Sequence, residues 1–144
     1  MQKQKGFTII ELIVVIAIIA VLASIVMVNV TGYINKSKDA AIQGNLSTML
    51  TNAAQIQDST GSLATACSAT IQQTALAAAD KAYDGNDTAN QVTDCNVAGT
   101  NDAWAACAQL KVTDAYFCVD STGAKKTVGT RATCVTDWAA TACP

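Results

Sequence analysis

The stretch FTIIELIVVIAIIAVLASIVMV, residues 7–28, decides how this chain folds. It holds 22 residues with polar side chains at Thr8, Glu11 and Ser24. As a helix rising 1.5 Å per residue it would reach about 33 Å, enough to cross a bilayer. Lys3 and Lys5 stand just before it, so the positive-inside tendency keeps Met1–Gly6 cytoplasmic and sends the remainder outward. Lys36 and Lys38, opposed by Asp39, weaken that bias slightly. A secretory signal peptide opens in the same way but is cut after its apolar region at a small-x-small site, for which the residues around Ala23 are a poor fit.

Glu11 is the residue that hydropathy alone does not explain. A carboxylate in hydrocarbon costs roughly 2.5–3.5 kcal/mol on insertion scales unless it finds a partner. Lys5 lies about a turn and a half away along a helix, and the next lysine is Lys36, so no cation of this chain is within reach. Snorkelling or protonation in place would satisfy the carboxylate within the chain. Otherwise its partner is created by processing or brought by another molecule.

The rest of the chain is built differently. From residue 60 onward Ala, Thr, Asp and Cys dominate and large aliphatics are few, which gives a thin core. All six cysteines, Cys67, Cys95, Cys107, Cys118, Cys134 and Cys143, fall there, as expected of a small domain stapled by disulfides in an oxidising compartment. There is no histidine and no CxxC pair, so zinc-finger, c-type haem and thioredoxin chemistry lack their ligands or spacing. The formal charge is −2, and without Met1–Gly6 seven basic residues face eleven acidic ones. The basic residues are scattered, so no specific nucleic-acid footprint is present.

After Val30 the pattern turns amphipathic: Tyr33, Ile34, Ala41, Ile42, Leu46, Met49, Leu50, Ala53 and Ala54 recur at spacings of three and four. The helix is therefore expected to continue from Phe7 to about Ser59, on the order of 80 Å, with Gly32 and Gly44 as weak points. Asp58-Ser-Thr-Gly-Ser62 reads as its stop, and the Ala-rich segment Leu63–Ala82 as a second, short helix with Cys67 near its start. Tyr83–Thr88 is a polar turn; Asp84, Asn86 and Asp87 could offer oxygens to calcium, but the EF-hand spacing and terminal Glu are missing, so a plain turn without metal is expected. Asn86-Asp-Thr88 is also a formal N-glycosylation sequon. From Trp104 onward a short sheet is expected, with Tyr116–Asp120, Ser-Thr-Gly123 and Ala124–Val128 as a β-hairpin. The fold class is thus α+β: a long N-terminal helix and a small disulfide-bonded domain with a short helix and an antiparallel sheet. The expected division is 1–6, 7–59 (with 7–30 in the membrane or filament core) and 60–144.

The segment KGFTIIELIVVIAIIAVLASI, at residues 5–25, resembles the N-terminal signal of type IV prepilins and type II secretion pseudopilins. The resemblance is strong over about residues 5–35 and architectural beyond. It implies that a membrane prepilin peptidase cuts after Gly6 and methylates the new N-terminal Phe7, leaving the apolar segment attached. It further implies that Glu11 favours processing and pairs during assembly with the N-terminal ammonium of a neighbouring subunit, so that its burial depends on polymerisation. The implied partners are other copies of the chain or other pilins, the peptidase/methyltransferase, an assembly platform with its motor ATPase, and membrane lipid beforehand. The implied destination is a single-pass membrane state followed by an extracellular pilus, serving adhesion, twitching, DNA uptake or secretion. Many members carry a proline in the second half of the apolar segment; here the one proline is Pro144, and Gly32 is a softer break.

For the disulfides, Cys67 with Cys95 would clip the second helix to the loop after it, and Cys118 with Cys143 would tie the tail to the sheet. Cys107 with Cys134 then follows. The alternative Cys134 with Cys143 would enclose a small terminal loop resembling that of many major pilins.

Three function classes follow. An enzyme is disfavoured: without histidine there is no Ser-His or Cys-His arrangement, and no Gly-rich phosphate loop appears; no cofactor is expected. A membrane-anchored binding module that never polymerises would have no use for a Gly-Phe junction followed by Glu11. A filament subunit uses both. Within that class, a pseudopilin of a secretion or DNA-uptake system is the alternative to a pilin. Major pseudopilins end in an acidic calcium loop, whereas this C-terminal region carries cysteines, Thr and Ala, which favours a pilin.

Overall fold

In the computed structural model the apolar run and the amphipathic segment after it form one helix, α1 (Ile9–Thr60, 52 residues). The structure describes residues 6–85, 93–129 and 142–143, residues 28 and 29 through their backbone alone. The chain divides into two units, Met1–Ile34 and Asn35–Pro144. Helix α1 runs through Gly32 and Gly44 without interruption.

In the first unit no described side chain is buried. Exposure of the large apolar residues from Phe7 to Met27 ranges from 45% at Val15 to 80% at Ile9. Water does not tolerate so continuous an apolar surface on a monomer, so lipid or other helices must cover it. The length and composition suit a membrane span.

The second unit has its own core. On α1 the buried line is Ile42, Leu46, Met49 and Ala53, spaced four, three and four, with Leu50 half-buried beside it. Tyr33, Ile34, Ala41 and Ala54, expected on the same stripe, are exposed. The covered face is narrower than the apolar pattern because only one row per turn meets the core. Helix α1 ends where Gly61, at φ +71°, donates its N–H to the Gln57 carbonyl at 2.8 Å, a left-handed C-terminal residue that glycine adopts without strain.

Helix α2 (Thr70–Asp84) starts seven residues later than the expected Leu63. Leu63 and Ala66 are buried as the apolar spacing suggested, but in turns rather than helix. The Leu63 N–H is engaged by the Asn101 carbonyl at 3.0 Å, which ties this segment to a distant loop instead of a helical ladder. Ala75, Leu76 and Ala79 of α2 face the core.

Four strands follow as an antiparallel meander in the order β1-β2-β3-β4: β1 (Thr93–Val97), β2 (Trp104–Gln109), β3 (Tyr116–Asp120) and β4 (Lys125–Val128). The expected hairpin is β3–β4, and Gly123 in its turn has φ +86°, a conformation that a side chain would strain. β1 was not anticipated; it places Cys95 on a strand rather than in a loop. Alternation sorts the sheet into two faces. Trp104, Ala106, Ala108, Phe117 and Val119 pack on the helices, while Cys107, Cys118 and Cys143 form a second small cluster on the other side.

Two bridges are present among the described residues, Cys67–Cys95 and Cys118–Cys143. The second excludes Cys134–Cys143. Among the described residues no cysteine is free, and Cys134, the partner expected for Cys107, lies outside them. Cys67–Cys95 closes a separation of 28 residues, so the chain-entropy relation predicts that the double substitution Cys67→Ala/Cys95→Ala lowers unfolding free energy by about 3.5 kcal/mol. Denaturant titration of the two proteins should show that difference in midpoint.

Candidate functional site

The Gly6–Phe7 junction lies outside the helix. Residues 6–8 are non-helical, Phe7 is 78% exposed, and the first helical residue is Ile9. What fixes that start is a reciprocal pair. The Glu11 carboxylate accepts the Thr8 backbone N–H at 2.9 Å and the Thr8 hydroxyl at 2.7 Å, and the Thr8 oxygen accepts the Glu11 N–H at 3.3 Å. This is a capping box, which satisfies backbone donors that the first helical turn leaves without partners. The sequence signal was present as Thr8-Ile-Ile-Glu11 ahead of an apolar run. Glu11 therefore has a partner inside its own chain, supplied by a hydroxyl and an amide rather than a cation. Lys3 and Lys5 lie outside the described residues.

Two aspartates of the second unit carry structure that the sequence reading missed. Asp39, 9% exposed on α1, accepts the backbone N–H groups of Lys111 at 2.5 Å and Val112 at 3.1 Å, pinning the β2–β3 loop to the helix. Asp120, 1% exposed at the end of β3, accepts the Thr122 N–H and hydroxyl at 2.8 and 2.6 Å, the Ala124 N–H at 3.3 Å and the Cys143 N–H at 2.7 Å. Burial pushes its carboxyl up, but the bonds from Thr122, Cys143 and Ala124 together outweigh burial and hold it below its ordinary value. Asp120 thus closes the β3–β4 turn with one oxygen and docks the tail beside the Cys118–Cys143 bridge with the other.

Among the described residues no group of three or more His, Cys, Asp or Glu side chains is placed to hold a metal ion. Asp84 ends α2, while Asn86, Asp87 and the sequon they belong to lie outside the described residues.

Residues 1–27 match the family described as the prokaryotic N-terminal methylation motif. The chain has a prepilin-type N-terminus. Two curated relatives from Moraxella bovis, a type IV major alpha-pilin and fimbrial protein Q, are each 50% identical to it over 46 residues. That match covers 32% of this chain and 29% of each relative, so it spans under a third of their length. No solved structure matches. The resemblance to type IV pilins rests on the prepilin-type segment. Beyond it, a long helix, an antiparallel sheet and disulfides are consistent with the pilin fold.

Proposed function

We propose that the chain is a structural subunit of a type IV pilus-like filament, matured by removal of Met1–Gly6 and methylation of Phe7. The observation that carries this reading is the methylation motif laid over an exposed, non-helical Gly6–Phe7 junction at the head of an apolar helical segment in which no described side chain is buried. Cutting there leaves the helix attached and creates an ammonium one residue before the Thr8 cap. When subunits come together, a neighbour's Phe7 ammonium can meet Glu11 in a low-dielectric seam, so that both charges enter the bundle as a pair.

Before assembly the apolar segment holds the subunit in the membrane as a single span with its cysteine-bearing unit outside. A prepilin peptidase/methyltransferase, an assembly platform and a motor ATPase are the machinery this reading calls for, and other copies or other pilins are the polymer partners. Residues 1–6 are then leader, 7–59 the assembly helix and 60–144 the outer domain, with no role as an enzyme.

Material sheared from the surface of expressing cells should give an intact mass and N-terminal sequence that begin at N-methylated Phe7. Retention in the membrane fraction with Met1–Gly6 attached, in cells that process another prepilin, would replace the filament with a permanent anchored module.

A further inference from the structure

On the outer face of the sheet Cys118 has two sulfurs beside it, and the fold bonds it to the more distant one in sequence. Cys118 of β3 lies directly opposite Cys107 of β2, while the residue opposite it on β4 is Lys126. The ladder settles what kind of pair Cys107 and Cys118 make. The Leu110 N–H donates to the Ala115 carbonyl at 2.7 Å and the Ser121 N–H to the Trp104 carbonyl at 2.9 Å, so the pairs at both ends of β2–β3 are hydrogen-bonded ones. Bonded and unbonded pairs alternate along an antiparallel ladder, and Cys107–Cys118 is three steps in from either end. It is therefore an unbonded pair, in which Cα atoms approach to about 4.5 Å and side chains come closest. A disulfide accepts Cα spacings down to about 4.4 Å. The sheet by itself can thus bridge Cys107 to Cys118.

The folded chain does not use that bridge. Cys118 is joined to Cys143 with Cα atoms 5.8 Å apart, well inside the disulfide range, and Cys107 is bridged to another cysteine. Chain entropy points the other way. Cys107 and Cys118 are eleven residues apart against 25 for Cys118 and Cys143, and the shorter loop closes roughly threefold more readily. Asp120 is placed to reverse that preference. It stands two residues beyond Cys118, hence on the same face of β3. It is buried, and its Oδ2 accepts the Cys143 N–H at 2.7 Å. Its Oδ1 is held by Thr122 and Ala124, so the β3–β4 hairpin alone orients the carboxylate for the tail.

We propose that Asp120 selects the disulfide partner of Cys118: oxidation first closes a provisional Cys107–Cys118 bridge across β2–β3, and Asp120 then docks Cys143 so that exchange replaces it with Cys118–Cys143. In the first step a disulfide oxidant takes two electrons and two protons from the Cys107 and Cys118 thiols and becomes two thiols. In the second, the Cys143 thiolate attacks the Cys118 sulfur. The bond to Cys107 breaks as the bond to Cys143 forms, and Cys107 leaves as a thiolate that takes up the proton Cys143 gave up. That exchange involves no net oxidation. A second equivalent of oxidant closes the bridge that Cys107 holds in the folded chain. Cys107, Cys118 and Cys143 pack as one buried cluster, which favours exchange among them over attack by thiols from solvent. Asp120 is a positioning residue in this scheme, and the scheme rests on the second unit alone and on no part of the filament reading.

The test follows reoxidation of the reduced full chain in detergent with oxidised glutathione, alkylating samples at intervals and mapping bridges by mass spectrometry after cleavage at Lys111, Lys126 and Asp137. In the wild type Cys107–Cys118 should rise first and fall as Cys118–Cys143 replaces it. In Asp120→Asn the final share of Cys107–Cys118 should exceed the wild-type share about tenfold, the change expected when a hydrogen bond to a charged group is lost, with Cys67–Cys95 formed to the wild-type extent. In Cys143→Ser, which keeps the backbone N–H for Asp120, Cys107 should be the final partner of Cys118. A wild-type course without Cys107–Cys118 overturns the provisional bridge, as does Cys118 left as a thiol or joined to Cys134 in Cys143→Ser. A wild-type final share in Asp120→Asn overturns selection by Asp120, and loss of Cys67–Cys95 in the same variant overturns it in favour of general loosening of the unit.

Discussion

Replacing Asp120 by alanine is expected to lower the unfolding free energy of the second unit by about 3 kcal/mol or more. The buried carboxylate takes four hydrogen bonds, and its removal leaves the N–H groups of Thr122, Ala124 and Cys143 without their acceptor. Asp120→Asn keeps one carbonyl oxygen for the turn but presents an NH₂ towards one of the remaining donors, so it should recover only part of the loss. The pH dependence follows from the depressed carboxyl. The unfolded chain binds its proton near 3.8 and the folded chain only at lower pH, so the contribution is complete above that value and fades as pH falls through the folded pKa. Urea titrations at neutral pH and at decreasing acid pH should show the gap between wild type and Asp120→Ala closing below about 3.8. A gap that stayed constant with pH would remove the ionised carboxylate as its cause.

The second large effect concerns Glu11. Glu11→Ala is expected to leave membrane insertion intact, since the apolar run after it is unchanged, while sheared filament falls to a small fraction of the wild-type yield. The capping box makes a sharper comparison available. A Gln at this position can still accept the Thr8 N–H, because capping boxes use Glu or Gln alike, but it offers no charge to a neighbouring ammonium. If the charge pair drives assembly, Glu11→Gln should fail nearly as badly as Glu11→Ala. Normal filament from Glu11→Gln beside failure of Glu11→Ala would make Glu11 a helix cap and nothing more. Scoring needs the sheared fraction and the membrane pool of each variant, so that a defect in insertion is not read as one in assembly.

The parts of this molecule that could be read from sequence are those governed by neighbours along the chain. The helix from Ile9, its stop at Gly61 and the β3–β4 hairpin each carry a local signature: an unbroken apolar run, a Ser-Thr-Gly stop, and alternation around a Ser-Thr-Gly turn. β1 has none, because Thr93-Asp-Cys-Asn-Val97 is polar and its place in the sheet is set by pairing with β2. The start of α2 failed for a related reason: Leu63 and Ala66 have helical spacing, but a long-range bond to Asn101 recruits them as turns. Asp39 looked like a surface acid opposing two lysines, and only the fold brings amides from more than seventy residues away to its carboxylate. At the N-terminus the methylation motif was legible. The Thr8–Glu11 cap also has a local signature, Thr8-Ile-Ile-Glu11 ahead of the apolar run.

The two described bridges also set how the subunit would behave under load. Pulled from its helix towards its tail, an unbridged chain would pay out its whole length once the sheet gave way. Cys67–Cys95 and Cys118–Cys143 withhold separations of 28 and 25 residues. At about 3.4 Å per extended residue these represent roughly 180 Å of contour that tension cannot release while the sulfurs remain bonded. A subunit built this way yields a short extension and then stiffens, so a fibre made of such units would transmit force along its length instead of unravelling domain by domain.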